Sequence, residues 1–150
     1  MPTLKDQLRT DLTTAMKARD ETRTRTLRMA LTAITNEEVS GVAHDLTDEE
    51  ITKILTREAK RRREAATAFA GAGRGDQAKA ERAEEEILAG YLPAQLSDDE
   101  LATLVAAAIA ETGASGPGGM GQVMKVVTPR VAGRAEGSRV AAMVRSRLAG

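Results

Sequence analysis

The chain of 150 residues has the length of one typical domain, and its 22 basic and 22 acidic side chains cancel. No global field therefore draws it towards nucleic acid or an anionic membrane, and such a partner requires a local patch. The absence of cysteine excludes disulfides, thiolate metal sites and a cysteine nucleophile. No apolar run has the length of a signal peptide or the roughly 18 residues of a membrane span. We therefore expect a cytoplasmic protein without a membrane partner.

Composition predicts an all-α fold with an aliphatic core. The helix formers Ala, Leu, Glu, Arg and Lys are abundant, whereas the aromatic residues, which favour strands, are limited to Phe69 and Tyr91. A chain of this length can bury roughly 70% of the surface that it exposes when unfolded. Because aromatic rings are so scarce, we expect Leu, Ile, Val and Ala to fill the core.

Two amphipathic helices are predicted first. Apolar residues recur at the spacing of one helical face up to about Arg19, and Asp20 and Glu21 then open a second helix that ends near Ser40. The residues expected to face inward are Leu4, Leu8, Leu12, Ala15 and Met16 in the first helix and Leu27, Ala30, Leu31 and Ile34 in the second.

A long antiparallel hairpin is predicted next. Thr47 and Glu50 form a capping box, in which each side chain is expected to bond the backbone N–H of the other residue. The helix that begins there should end at the three glycines of Gly71–Gly75, and its partner should run from Asp76 to about Gly90. The residues expected to face inward are Ile51, Ile54, Leu55, Ala59, Ala65, Ala66 and Phe69, then Ala80, Ala83, Ile87, Leu88 and Tyr91.

The best candidate for a subdomain boundary is Pro93, which breaks the helical pattern. We expect a four-helix N-terminal subdomain over residues 1–92, linked to a small three-helix C-terminal subdomain over residues 93–150.

The C-terminal part shows three further helical segments. A second capping box at Ser97–Glu100 opens the first, and the flexible loop Gly113–Gly119 follows it. A short helix over Met120–Val127 is expected to stop around Pro129, and the last helix follows the turn Gly133–Gly137. The residues expected to face inward are Leu101, Leu104, Val105, Ala108 and Ile109, and later Val140, Met143, Val144 and Leu148.

A search for catalytic chemistry is mostly negative. His44 is the one histidine, and although Asp45 follows it, neighbouring loop residues rarely form a base with its orienting carboxylate. A working base also needs a nucleophile within hydrogen-bond reach. We therefore expect a solvated loop histidine and no catalytic residue.

An acidic cluster and a glycine loop also have simple structural explanations. Helical carboxylates without other ligands fan outward, so the acidic cluster is expected to be a solvated helix face rather than a metal site. The loop Gly116–Gly121 lacks the Lys-Ser or Lys-Thr ending of a P-loop and a preceding strand, so it is a weak phosphate-binding signal. We predict neither a metal nor a cofactor. The acidic cluster consists of Glu81, Glu84, Glu85 and Glu86.

Two basic groupings remain. The first joins Arg57 to the run Lys60–Arg63, whose side chains cannot share one face because four consecutive residues span more than one turn. Glu58 and Glu64 can pair with this run, and the stem of Arg62 lies near the apolar stripe. A solvent-facing surface rich in salt bridges is the expected outcome.

The second grouping is the C-terminal stretch, which from Lys125 onward has six basic residues against one acidic residue, a local charge of +5. Arg145 and Arg147 are explained as last-turn residues that compensate the helix dipole. The other four straddle two turns, where arginines beside exposed backbone N–H groups would suit a phosphodiester chain. The candidate RNA-binding residues are Lys125, Arg130, Arg134 and Arg139.

Several segments, in order along essentially the whole chain, resemble the signatures of the YqeY family. The most specific is Tyr91-Leu-Pro-Ala-Gln-Leu-Ser97. The others are Ala15-Met-Lys-Ala-Arg-Asp20, Leu27-Arg-Met-Ala-Leu-Thr-Ala-Ile34 with Glu37, Lys60-Arg-Arg-Arg-Glu64, Ala83-Glu-Glu-Glu-Ile-Leu-Ala-Gly90, Met120-Gly-Gln-Val-Met-Lys125 and Gly133-Arg-Ala-Glu-Gly137.

YqeY proteins are stand-alone relatives of the C-terminal region of GatB, a subunit of the glutamyl/aspartyl-tRNA amidotransferase. In that enzyme the tail domain is non-catalytic and contacts the body of the tRNA. The resemblance therefore implies two helical subdomains and a tRNA-binding role without an active site. Its matching motifs favour Lys125 and Arg134 as RNA contacts, whereas Arg130 and Arg139 are supported mainly by charge.

Three hypotheses follow from the sequence. The first is a non-catalytic protein that binds tRNA or another structured RNA through its basic C-terminal subdomain. The second is an adaptor that docks on a partner protein through a helical groove. The third, motivated by ancestry alone, is an accessory of a glutamine-dependent carbon–nitrogen ligase, the tRNA amidotransferase.

Overall fold

The computed structural model describes residues 2–149, and over these residues it contains seven α-helices, one short 3₁₀ helix and no strand. The predicted all-α class is confirmed. The chain divides into two compact units with the boundary between Leu92 and Pro93. The helices are α1 (Leu4–Lys17), α2 (Glu21–Glu38), α3 (Asp48–Gly71), α4 (Gly75–Ala89), α5 (Asp98–Thr112), the 3₁₀ helix Pro117–Gly119, α6 (Met120–Val131) and α7 (Gly137–Ala149).

Local side-chain caps begin α1, α2, α3 and α5. Both predicted capping boxes are present: the Thr47 hydroxyl accepts from the Glu50 N–H at 3.1 Å, and the Ser97 hydroxyl accepts from the Glu100 N–H at 3.1 Å. A third box, at Thr3, begins α1. Each box satisfies N–H groups that the first turn leaves without a helical partner, so the starting residue is encoded within four positions of sequence.

The N-terminal unit packs its four helices around an aliphatic core. Helices α3 and α4 form the predicted hairpin, and their connection uses Gly73 at a φ of +75°, a conformation that glycine adopts without strain. The buried residues of this core are Leu8, Leu27, Ala30, Ile34, Ile51, Ile54, Leu55, Ala59 and Leu88.

The C-terminal unit builds its own core from α5, α6 and α7. Helix α6 continues through Pro129 and ends at Val131, so the expected stop at the proline was wrong. Val131 is 3% exposed, and its burial favours one more helical turn despite the bond that the proline cannot donate. The buried residues are Leu96, Leu101, Val105, Ala108, Val123, Val127, Val131, Ala135, Val140 and Val144.

The acidic cluster of α4 is not a solvated face, and that expectation was wrong. Glu84 is only 7% exposed, and its carboxylate lies 3.0 Å from Nε of Arg62 and 2.9 Å from Nη2 of Arg25. Arg62 also lies 3.8 Å from carboxylate oxygens of both Glu58 and Glu81. Opposite charges on α2, α3 and α4 therefore let these carboxylates face inward. Of the four cluster members, only Glu86 is exposed, whereas Glu81 and Glu85 are half-buried.

Three small or flexible apolar residues that were expected to face inward are exposed. Ala80 and Ala83 are exposed because α4 turns its glutamates, with Ala78 and Leu88, towards α3. Met16 is 49% exposed because it lies one residue beyond the buried Ala15, which places it about 100° away around the helix.

We predict that Arg62→Ala lowers the free energy of unfolding by about 3 kcal/mol, because it removes one of the cations that neutralise the buried Glu58 and Glu84 and also the ion-pair partner of Glu81. Urea unfolding measures the change. Lys53→Ala is the matched control on the exposed side of the same helix and should alter stability by less than about 0.5 kcal/mol. Equal effects of the two substitutions would show that the cluster does not stabilise the hairpin.

Candidate nucleic-acid interface in the C-terminal unit

The four residues predicted from sequence to contact RNA lie on α6, on α7 and in the turn between these helices. Lys125 is exposed in the middle of α6, and Arg130 lies in its last turn. Arg134 belongs to the turn, and Arg139 lies in the first turn of α7. These positions are thus spread over two helices and their connection.

Two of these arginines pair with carboxylates of α5. The Arg130 guanidinium donates to Glu111, and Nη2 of Arg139 donates to Asp98 at 2.8 Å. The carboxylates are strongly exposed, with 53% of the Glu111 side chain and 85% of the Asp98 side chain accessible. Pairs of this kind contribute about 0 to 1 kcal/mol to stability, so a stronger anion can displace them at little cost.

Arg134 has a structural role that the sequence did not reveal. Its Nε donates to the carbonyl oxygen of Ala94 at 2.8 Å, while its own carbonyl accepts from the Leu96 N–H at 2.8 Å. Two segments that resemble family signatures, one before Ser97 and one after Gly133, are thereby held together. Leu96, whose N–H donates one of these bonds, is buried in the core of the C-terminal unit. Arg134 is therefore a clamp on the chain that leads into α5.

The same signature is anchored at its other end in the N-terminal unit. The Tyr91 hydroxyl donates to the carboxylate of Asp11 on α1. Burial, followed by this neighbouring carboxylate, raises the pKa of the Tyr91 phenol well above its usual range. The protonated phenol is the donor of this hydrogen bond, which ties the segment before the boundary to α1.

The accessible cations of this unit differ from the predicted set. Within residues 93–149, Lys125, Arg145 and Arg147 are exposed and have no carboxylate within ion-pair distance. The two arginines lie near the end of α7, where the sequence had suggested only compensation of the helix dipole. The local excess of positive charge in the sequence could have identified Arg145 and Arg147. The pairing of Arg130 and Arg139 with carboxylates of α5, by contrast, is visible only in the tertiary structure.

The glycine loop before α6 is explained by packing. Gly119 is buried, and a Cβ atom built at this residue would lie 2.7 Å from the Cβ of Ala114. Gly113 and Gly116 have φ values of +65° and +66°, which turn the chain between α5 and the 3₁₀ helix. Close packing and turn geometry therefore account for these glycines without a phosphate.

His44 is an exposed loop residue, as predicted. Its Nδ1 lies 3.0 Å from the Val42 carbonyl oxygen, and its Nε2 lies 3.6 Å from a carboxylate oxygen of Glu50. The Val42 carbonyl, followed by Glu50, stabilises the imidazolium and raises the pKa of His44. The neighbours of the ring are a backbone oxygen and a capping carboxylate, so the arrangement stabilises a loop.

The described part of the chain holds no group of three or more His, Cys, Asp or Glu side chains placed to bind a metal ion. Among its helices, none is both long and apolar enough to cross a bilayer.

The chain is thus an all-α protein whose C-terminal unit carries exposed cations and weakly paired arginines. A sequence model of the family described as Yqey-like protein matches residues 5–148. The match covers nearly the full length, and the chain belongs to the YqeY family. No curated protein matches the chain in a sequence comparison.

We predict that Arg134→Ala lowers the free energy of unfolding by about 1 kcal/mol, since it removes the hydrogen bond to Ala94. Thermal unfolding measures the loss, and Lys125→Ala, on the exposed face of α6, serves as the control with a change below about 0.5 kcal/mol. Unchanged stability of the Arg134 variant would contradict its role as a clamp.

We also predict a His44 pKa above about 6.5, the usual value, in a titration of the imidazole followed by NMR. A raised pKa means that the stabilisation is present below about pH 6.5 and is lost as the pH rises through the folded-state value. Glu50→Gln, which keeps the capping box, should lower the pKa only in part, because the Val42 carbonyl remains. The neighbouring Glu49→Gln is the control, and an equal response to both substitutions would contradict the assignment.

Proposed function

We propose that this YqeY-family protein is non-catalytic and binds tRNA or another structured RNA through its C-terminal unit. The observation that carries the proposal is a set of exposed cations, Lys125, Arg145 and Arg147, that have no carboxylate partner among the described residues 2–149. Other arginines of the same unit form only weak pairs with exposed carboxylates. Lys and Arg side chains bind phosphate oxygens and release counterions, which supplies most of the sequence-independent affinity for nucleic acid.

The paired arginines of the same unit are further candidate phosphate contacts. Arg130 and Arg139 each exchange a solvent-exposed carboxylate for a phosphate when RNA approaches. Arginine forms strong bidentate hydrogen bonds with phosphate, so this exchange is favourable. Arg134, by contrast, contributes mainly by holding the connection between α6 and α7 in place, since its Nε is already bonded.

Folded RNA is a better ligand than single-stranded RNA. Recognition of single strands relies on aromatic side chains that stack on bases. Both aromatic residues of this chain, Phe69 and Tyr91, belong to the N-terminal unit. The C-terminal unit therefore suits contacts with the backbone and shape of a folded RNA.

The absence of an enzymatic role is part of the same proposal. His44 stabilises a loop, and the inward-facing glutamates of α4 are neutralised by arginines rather than left to act as acids or bases. The resemblance to GatB lies in its non-catalytic tail, which supports RNA contact more than a contribution to amide transfer. Cytoplasmic tRNA is the natural candidate ligand.

Fluorescence anisotropy with bulk tRNA across a salt series tests the proposal. The combined variant Lys125→Glu, Arg145→Glu and Arg147→Glu should bind at least about tenfold more weakly. The slope of log affinity against log salt concentration should also become shallower, by about one for each phosphate that the variant no longer neutralises. The matched control carries Lys53→Glu, Lys79→Glu and Arg82→Glu, three exposed residues of the N-terminal unit, and so has the same net charge.

A second pair of variants tests the exchange of carboxylate for phosphate. Asp98→Asn and Glu111→Gln free Arg139 and Arg130, and the affinity for tRNA should rise by a few fold. Asp76→Asn with Glu86→Gln, on exposed positions of α4, is the control for net charge. Failure of the wild-type protein to bind tRNA at low salt, or equal weakening by the control of the first experiment, would overturn the proposal.

A further inference from the structure

The outer side of α2 in the N-terminal unit forms a polar ridge. Its inner side, with Leu27 and Ile34, is fully buried, whereas Arg28, Thr32 and Asn36 are exposed. These three residues follow one another at a spacing of four, which aligns their side chains along the helix. We call Arg28, Thr32 and Asn36 the α2 ridge.

Two open clefts flank the α2 ridge, and all three of its residues line both. The cleft towards α3 has a volume of about 470 Å³ and also contains Met29, Ala33, Arg57 and Arg61. The cleft towards α1 has a volume of about 390 Å³ and is lined in addition by Leu12, Leu31 and Thr35. A segment laid along the ridge would therefore reach a cleft on either side.

Methionines give this surface an exposed, adaptable apolar component. Met29 in the α3-side cleft is 44% exposed, and Met16 on α1 is 49% exposed. Each sulfur lies 3.7 Å from an arginine nitrogen, Met16 from Arg28 and Met29 from Arg62. Exposed methionines are characteristic of surfaces that adapt to apolar side chains of a partner protein.

The surface is also basic after internal pairing is taken into account. Within the described residues, Arg28 and Arg57 have no carboxylate at ion-pair distance. Glu58 lies at the cleft but is 9% exposed, and Arg61 and Arg62 neutralise it at 3.4 and 3.8 Å. Glu37 is the remaining carboxylate of the lining. An acidic ligand is thus favoured over a basic one.

We infer that the α2 ridge and its two clefts bind an acidic amphipathic helix of a partner protein. Apolar side chains of that helix enter the clefts against Met29 and Leu31, while its carboxylates meet Arg28 and Arg57. Apolar contacts in the two clefts give affinity, and the charges give orientation.

A phosphodiester backbone fits the same surface less well. The apolar residues of the clefts, Met29 and Ala33 on one side and Leu12 and Leu31 on the other, would stay without a partner, and neither lining includes an aromatic ring for base stacking. The inference does not depend on RNA binding, since it concerns residues of the N-terminal unit alone.

Methionine methyl NMR of the full chain gives a site-specific test. The probes are two synthetic amphipathic helical peptides that share one Leu-rich stripe and carry either Glu or Lys on the polar face. The Glu peptide should shift the methyl signals of Met16 and Met29 and leave those of the C-terminal unit, Met120, Met124 and Met143, in place. The Lys peptide should bind at least about tenfold more weakly.

Charge reversal supplies the matched variants. Arg28→Glu with Arg57→Glu should weaken the Glu peptide by at least about tenfold and strengthen the Lys peptide, whereas Lys53→Glu with Lys79→Glu should change neither by more than about twofold. All four positions are exposed, and an unchanged thermal unfolding curve followed by circular dichroism verifies that the variants are folded.

Three results would overturn the inference: no methyl shift with the Glu peptide, equal affinity for both peptides, or an unaffected Arg28 and Arg57 variant. Shifts of Met29 with tRNA in place of the Glu peptide would also overturn it and identify a nucleic-acid surface. Loss of tRNA binding in the C-terminal variants leaves the peptide result unchanged, so the two proposals fail separately.

Discussion

The N-terminal unit depends on Arg62, whose guanidinium is surrounded by Glu58, Glu81 and Glu84 between α3 and α4. A buried charge is tolerated only when its partners compensate the loss of hydration. Arg25 of α2 supplies the second cation that Glu84 needs, so the ion cluster joins three helices. The faces that α3 and α4 present to each other follow from this cluster as much as from their apolar residues.

Internal pairing also decides which charges of the chain are available to a partner. A net charge of zero describes the whole chain but no particular surface. Arg62 and Arg134 are used inside the fold, where they hold a helix pair and a loop. Lys125 and Arg57 are exposed and have no carboxylate at ion-pair distance among the described residues. A basic side chain that is paired with a carboxylate or a carbonyl oxygen thus stabilises the fold, whereas one without such a partner is available to bind a ligand.

The two units offer different chemistry to their surroundings. The C-terminal unit combines exposed cations with the absence of aromatic residues, which suits the phosphate backbone of a folded RNA. The α2 ridge and its clefts combine unpaired arginines with an exposed methionine and a few aliphatic side chains, which suits an acidic amphipathic protein segment. The two proposals therefore rest on different units of this YqeY-family protein.

The sequence by itself determined the helical class, the helix starts and most of the core. The capping boxes at Thr47 and Ser97 each need only a glutamate three residues further along the chain. The burial of residues such as Leu8 and Leu55 was predicted from the helical spacing of the apolar residues. Only the tertiary structure decided that Glu84 is buried, that Met16 is exposed and that Arg134 binds Ala94. The physical reason is the range of the interaction: capping and amphipathicity act within a few residues of one helix, whereas a glutamate is buried only if an arginine from another helix meets it.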